Sequence, residues 1–410
     1  MSDTHSNPLG HGDRELTAAR RFLAIFAAFV LLVAALVASV NLVAYRYMLR
    51  DANQDVVQLL SGWGRMYKPI LFDELQPEIA VYGASWARDA FDPIATGQLL
   101  GRRVFNHAVS GGTAYETRRF GESSLADSKL QAAIVNLDTF YRSELVARNR
   151  YGFDESILDV DPDGKPNRWV GLRRNYSLAL TGWAAGANLE LISALHARDA
   201  GAARENYLEA YQSADLSSRR SRMETARQQI FPRADEPSGS HDDAEPPPLA
   251  AEPAELGKMI DGFCRSGIDI HAYFTPSHAR QLHCDPEATK ELAALAFLRR
   301  KQAACDARIH YYDFGYPNAV TLEGLLQPVK SSRYYRPDNH PRPTVGLLMA
   351  ARMFGTEFPL GTPALIERDF GVDLLSHENP EGWLLERAAR CTGNWGDSGY
   401  EEFARALAAD

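Results

Sequence analysis

The sequence predicts an α/β protein, a parallel sheet crossed by helices, with one membrane-spanning helix ahead of it. Two observations carry that expectation. Short apolar runs alternate along the chain with helix-length segments, and the stretch from Phe22 to Tyr45 holds no charged residue. Strands buried on both faces read as near-continuous apolar runs, and strands separated by helices imply right-handed parallel crossovers.

The N-terminal segment is the simplest element to justify. Residues 22–45 are dominated by Ala, Val, Leu, Ile and Phe. As a helix they would extend about 36 Å, enough for a hydrocarbon core of about 30 Å. Arg20 and Arg21 bound the stretch on one side, Arg46 and Arg50 on the other, and Tyr45 and Tyr47 suit an interface. A signal peptide has a shorter apolar region, about 7–15 residues, so an uncleaved anchor is expected. Arginines flank both ends almost equally, which leaves the positive-inside rule little to act on. The short polar tail 1–21 is assigned to the cytoplasm, which puts residues 52–410 outside it.

Strands are expected at Ile79–Ser85, Arg103–Val109, Ala132–Phe140, Asp269–Thr275 and Arg308–Phe314. Helices are expected at Asp92–Leu100, Tyr115–Ser128, Ala254–Arg265, Pro286–Ala304 and Thr344–Phe354. Five strands with a helix on each crossover make a flavodoxin-like doubly wound layer. The long break at about 141–253 is read as an insertion, helical in pattern through about Tyr211. Residues 213–253 then turn to Ser, Arg, Asp, Glu and Pro, ending in Glu245-Pro246-Pro247-Pro248, as a solvated linker does. Such an insertion serves either as a lid or as a docking surface.

A net charge of −9 over 410 residues argues against nucleic acid as a partner, because phosphate binding needs a basic face. The four cysteines, Cys264, Cys284, Cys305 and Cys391, permit three full pairings and include no CxxC spacing. There is no HExxH, no P-loop and no Gly-x-Gly-x-x-Gly after a strand, so neither a metal nor a cofactor is expected.

The chemistry-bearing residues lie at the carboxyl ends of the expected strands, where open α/β sheets bind ligands. Ile79-Ala-Val-Tyr-Gly-Ala-Ser85 stops on a turn that would present the Ser85 hydroxyl. Ser85 could instead cap the following helix. A serine nucleophile needs a base, and the base an orienting carboxylate. The segment Tyr335-Arg336-Pro337-Asp338-Asn339-His340 supplies both ahead of the last helix.

Together these residues resemble the SGNH (GDSL-like) hydrolase superfamily. The likeness is to its membrane-anchored branch found with bacterial surface-polysaccharide systems, including alginate O-acetylation proteins. Tyr82-Gly83-Ala84-Ser85-Trp86-Ala87-Arg88-Asp89 looks like the nucleophile block, and Phe105-Asn106-His107-Ala108-Val109-Ser110-Gly111-Gly112 like the second block. Val135-Asn136-Leu137-Asp138-Thr139-Phe140 occupies the place of the third. Phe274-Thr275-Pro276-Ser277-His278 and Tyr312-Asp313-Phe314 follow in the expected order. The resemblance implies an SGNH-like fold with Ser85 as nucleophile, His340 as base and Asp338 as orienting carboxylate. It implies an oxyanion hole from Gly111 or Gly112 and Asn136, with Arg88 placed to meet an anionic substrate. Two positions depart from the pattern. Pro337 stands where the usual aspartate would, and Asn136 lacks the Gly-x-Asn setting. The implied activity is that of an esterase or O-acyltransferase, acting on an acylated, typically acetylated, surface glycan. The implied setting is the bacterial inner membrane, single-pass, beside a polysaccharide-modification partner. The alternative is a catalytically inactive SGNH-like scaffold in such a system.

Overall fold

The structure, a computed structural model, describes residues 9–48, 64–126, 129–141, 152–181, 184, 186, 253–277, 288–315, 318–321, 333–335 and 340–392. The linker expected before Ala254 lies outside them, apart from Pro253, and so do Asp338 and His278.

A single helix, α1 (Leu9–Met48), contains the whole apolar stretch. Its segment Leu16–Tyr45, whose mean hydropathy reaches 2.9 over 18 consecutive residues, is long and apolar enough to cross a membrane. Phe22, Leu23, Ile25, Phe29, Leu31 and Leu32 are all exposed on it.

The rest is built on one sheet. In chain order come α2 (Gly64–Leu75), β1 (Ile79–Tyr82), α3 (Ser85–Ala90), α4 (Pro93–Leu100), β2 (Val104–Asn106) and α5 (Ala114–Ser123). These are followed by β3 (Ala132–Asn136), α6 (Asp138–Tyr141) and α7 (Val170–Leu180). After the long break come α8 (Ala254–Arg265), β4 (Asp269–Tyr273), α9 (Thr289–Ala303) and β5 (Ile309–Asp313). The chain closes with α10 (Pro343–Phe354), α11 (Ala364–Asp369), β6 (Val372–Asp373) and α12 (Pro380–Thr392).

Strand order is β2-β1-β3-β4-β5-β6. The first five strands pair in parallel, and β6 pairs antiparallel with β5. All five expected strands therefore form, each shorter at its ends than the apolar run suggests. The chain steps from β1 to β2 on one side and then to β3 on the other. Such a reversal opens a crevice at the carboxyl ends of the strands it separates.

Alternation along each strand divides the core in two. Ala80 and Tyr82 face a cluster with Phe72, Phe120 and Phe263, from α2, α5 and α8. Ile79 and Val81 face a second cluster with Phe91, Leu348 and Met349, where α10 covers the other side. Of the three pairings left open for the cysteines, the structure contains Cys264–Cys305, which ties the end of α8 to the residues after α9.

One close approach fixes the position of α10. At Gly346 the helix lies against the end of α3, and a Cβ there would sit 1.9 Å from the Ala90 carbonyl oxygen. No rotamer relieves a clash with backbone. Gly346→Ala should therefore lower the unfolding free energy by about 1–3 kcal/mol or more, as overpacking does. Chemical denaturation of the intact protein in detergent measures this, and unchanged stability would show that α10 does not seat on α3 this closely.

Candidate active site

Ser85 is the first residue of α3, directly beyond β1. The turn that delivers it needs Gly83. Its φ of +154° is one that L side chains rarely adopt, and a Cβ would lie 2.8 Å from that of Asn136 and 2.9 Å from that of Ala87. Ala84 occupies the cap position and makes no side-chain cap. The capping role open to Ser85 is therefore not the one it takes. Its Oγ lies 3.0 Å from Nε2 of His340, a residue 255 positions away in the chain.

His340 is held from its C-terminal side. The Arg342 amide donates to the Tyr334 carbonyl at 2.7 Å, and Arg342 Nε donates to the Tyr335 carbonyl at 3.1 Å. Tyr335 and Pro341 form an isolated antiparallel bridge. The half-buried Trp86 ring sits 6.1 Å from the His340 ring, edge on.

Asn106 ties α3 to the loop after β2, and nothing about its type singles it out in the sequence. It is buried at the end of β2. Its Nδ2 donates to the carbonyls of Ala87, Arg88 and Phe91, at 3.2, 3.0 and 2.7 Å. These include carbonyls of the last turn of α3, which a helix leaves unpaired. Its Oδ1 accepts the Ala108 amide at 3.0 Å.

The loop after β2 is gripped from α2 by two basic side chains. Lys68 Nζ donates to the Ala108 carbonyl at 2.5 Å. Arg65 Nη2 donates to the carbonyls of Ser110 and Gly111 at 3.1 and 3.2 Å, and its guanidinium pairs with Glu116. Glu116 completes a capping box with Thr113 at the start of α5, so cap, ion pair and loop form one unit. In a trans peptide the N–H points opposite its carbonyl. Holding the Ser110 carbonyl toward α2 thus turns the Gly111 N–H away from α2. That amide has no partner among the described residues, whereas the Gly112 N–H donates to Val109 at 3.0 Å. The loop is also stitched to the Ser85 turn, since the Val109 amide donates to the Gly83 carbonyl at 3.2 Å. Of the two glycines expected to supply an oxyanion donor, Gly111 is the one left available.

Two other expected site residues are engaged elsewhere. Asn136 lies under Gly83, but its Nδ2 donates to Asp138 Oδ2 at 3.1 Å and to Thr275 Oγ1 at 2.8 Å. Its donors serve the sheet edge in this structure rather than a substrate. Arg88 is folded back on Asp89 at 2.7 Å, with its side chain only 10% exposed, instead of reaching into solvent. His107 is a core residue, buried and stacked on Phe120 with centroids 4.6 Å apart. Burial holds it well below the usual histidine range, so it stays neutral. Among the described residues no group of His, Cys, Asp or Glu is placed to hold a metal ion.

Comparison with known proteins returns no family model, no curated protein and no solved structure that matches the chain.

Lys68 gives the site a measurable electrostatic signature. Burial, with the Arg88 charge adding to it and Asp89 opposing, lowers its pKa to about 7 from the ordinary 10.5. Between those values the unfolded chain carries a proton that the folded one has shed. Stability from this group therefore rises with pH from about 7 to about 10.5, by up to about 1.4 kcal/mol per pH unit. Unfolding followed against pH should show that rise in wild type and lose it in Lys68→Met. Identical slopes in the two proteins would remove Lys68 from the buried position described.

Proposed function

We propose that this protein is a membrane-anchored serine esterase or O-acyltransferase with an SGNH-like, flavodoxin-type doubly wound domain, acting outside the cytoplasm on an acylated surface glycan. The observation that carries the reading is the 3.0 Å contact between Ser85 Oγ and His340 Nε2 at the carboxyl edge of the sheet. A serine and an imidazole within hydrogen-bond reach are the minimum for an activated hydroxyl nucleophile.

The chemistry follows from that pair. Ser85 Oγ attacks the ester carbonyl while His340 Nε2 takes its proton. Negative charge then develops on the carbonyl oxygen. The amides of Ser85 and Gly111 are the donors proposed to receive it, each worth about 10²–10³ in rate. His340 returns the proton to the departing alcohol, which leaves an acyl-Ser85 ester. A water or a sugar hydroxyl, deprotonated by His340, then completes hydrolysis or transfer. Asp338 is assigned the carboxylate that orients the imidazole. The acetyl group and the glycan come from the resemblance of the sequence blocks, and Trp86 beside His340 offers a sugar a flat apolar surface. The apolar helix α1 supports anchorage, and the Cys264–Cys305 disulfide favours an oxidising compartment. A partner in polysaccharide modification belongs to the same reading.

The second reading, a glycan-binding scaffold without turnover, draws on Asn136, whose amide is consumed by Asp138 and Thr275. Turnover of a simple aryl acetate separates the two. Ser85→Ala and His340→Ala should each lower kcat/KM by about 10³ or more with the circular dichroism spectrum unchanged. Full activity in Ser85→Ala would eliminate Ser85 as the nucleophile, and an inert wild type that binds acetylated glycan would favour the scaffold.

A further inference from the structure

Helix α7 runs beside the end of α1, and its Leu178 joins the core cluster on the α2 side of the sheet. Its N-terminal half is fixed to the domain through Arg174, which pairs with Asp73 and Asp159 and donates to the Ile157 carbonyl at 2.8 Å. Its C-terminal end reaches α1, where Asn41 Nδ2 donates to the Ala179 carbonyl at 2.9 Å. Asn41 is 2% exposed although it sits within the apolar stretch Leu16–Tyr45. One turn further, Tyr45 is buried and stacks on Tyr67 of α2 with centroids 6.4 Å apart.

The two faces of α7 differ sharply. Ser177, Leu178 and Ala179 are buried. Trp169, just before the helix, and Leu172, Tyr176 and Leu180 are 64, 66, 60 and 46% exposed. Spacings of three, four and four put these residues on one stripe. Arg168 and Arg173 are exposed beside it. Leucine flanked by Trp, Tyr and Arg is the composition of a helix lying in a membrane interface, aromatic rings at headgroup level and guanidinium groups reaching water.

The backbone agrees. The last carbonyls of a helix lack helical partners and, away from water, must find others. Here the Ala179 carbonyl is met by Asn41, and the Ser177 carbonyl accepts Thr181 Oγ1 at 2.5 Å. The contact with Asn41 also sets depth, since four residues inside Tyr45 is about 6 Å further along α1.

We propose that α7 is an interfacial helix, seated in the leaflet on the side of the sheet domain with Trp169, Leu172, Tyr176 and Leu180 facing lipid. The partner is the bilayer, because the stripe ends at Leu180, next to the Ala179 carbonyl that Asn41 of the apolar helix α1 meets. The proposal rests on reading α1 as the membrane anchor. It makes α1 and α7 a two-point mount that fixes the Ser85 edge relative to the membrane.

Spin labels on the full-length protein test this in vesicles of phosphatidylethanolamine and phosphatidylglycerol. Cys284 and Cys391 are replaced by serine, and the Cys264–Cys305 disulfide is kept. Labels go on Leu172→Cys, Tyr176→Cys, Leu31→Cys in the apolar centre of α1, and Lys258→Cys as an exposed reference on α8. At 31, 172 and 176 the ratio of oxygen to nickel-chelate accessibility should exceed that at 258 several-fold. A water-like ratio at 172 and 176 with a lipid-like ratio at 31 overturns the proposal alone. A water-like ratio at 31 overturns the anchor and the proposal with it. Low access to both reagents at 172 and 176 means that a second copy of the chain covers the stripe, which also overturns it.

Discussion

The contact between Ser85 and His340 makes the most demands on the rest of the molecule. It joins the start of α3 to the lead-in of α10, 255 residues apart, and a shift of an ångström in either loses the hydrogen bond. Three features hold it. Gly83 lets β1 end in a turn too tight for a Cβ, which puts Ser85 at the head of α3. Asn106 gathers the far end of α3 and fastens it to the neighbouring strand. Gly346 lets α10, whose lead-in carries His340, seat on the Ala90 carbonyl. Each is a close-packing constraint, so the pair is set by core geometry rather than by mutual attraction.

The loop beside the serine is organised by charge. Arg65 and Lys68 together hold the carbonyls of Ala108, Ser110 and Gly111. Burying an ammonium group is costly, and the depressed pKa of Lys68 registers that cost. A neutral donor would meet one carbonyl more cheaply, but Lys68, protonated below about pH 7, holds the loop that carries Gly111, the oxyanion donor of the proposed chemistry. That hold gives the cost a use.

Much of the architecture is legible in the sequence because buried parallel strands leave an unmistakable trace. The runs at Ile79, Ala132 and Ile309 announce β1, β3 and β5, and Ala254–Arg265 declares its helix from end to end. What stays hidden has identifiable causes. The helix α2 contains Pro69 and buries Lys68, both of which read as loop features. Six residues, Ser85–Ala90, are too few to show a period, and no side chain caps them. The strand β6 is two residues long. In the site, residue types are readable and partners are not. Asn136 is a plausible oxyanion donor by position, yet Asp138 and Thr275, the latter 139 residues away, take its amide. Arg65 carries no signal at all, because its work is done on backbone carbonyls that every residue has.

In the reading we propose, the Ser85–His340 site is held at a set height above a bilayer, with α2 linking the two. Tyr67 meets Tyr45 of α1, and the next residue, Lys68, grips the loop beside Ser85. The central claim is that Ser85 is an activated nucleophile dependent on His340. Intact mass after exposure to a fluorophosphonate probe tests it most directly, on wild type, Ser85→Ala and His340→Ala side by side. Wild type should gain one phosphonyl group and neither variant should. A folded wild type that takes no label, or a Ser85→Ala variant that does, would contradict it.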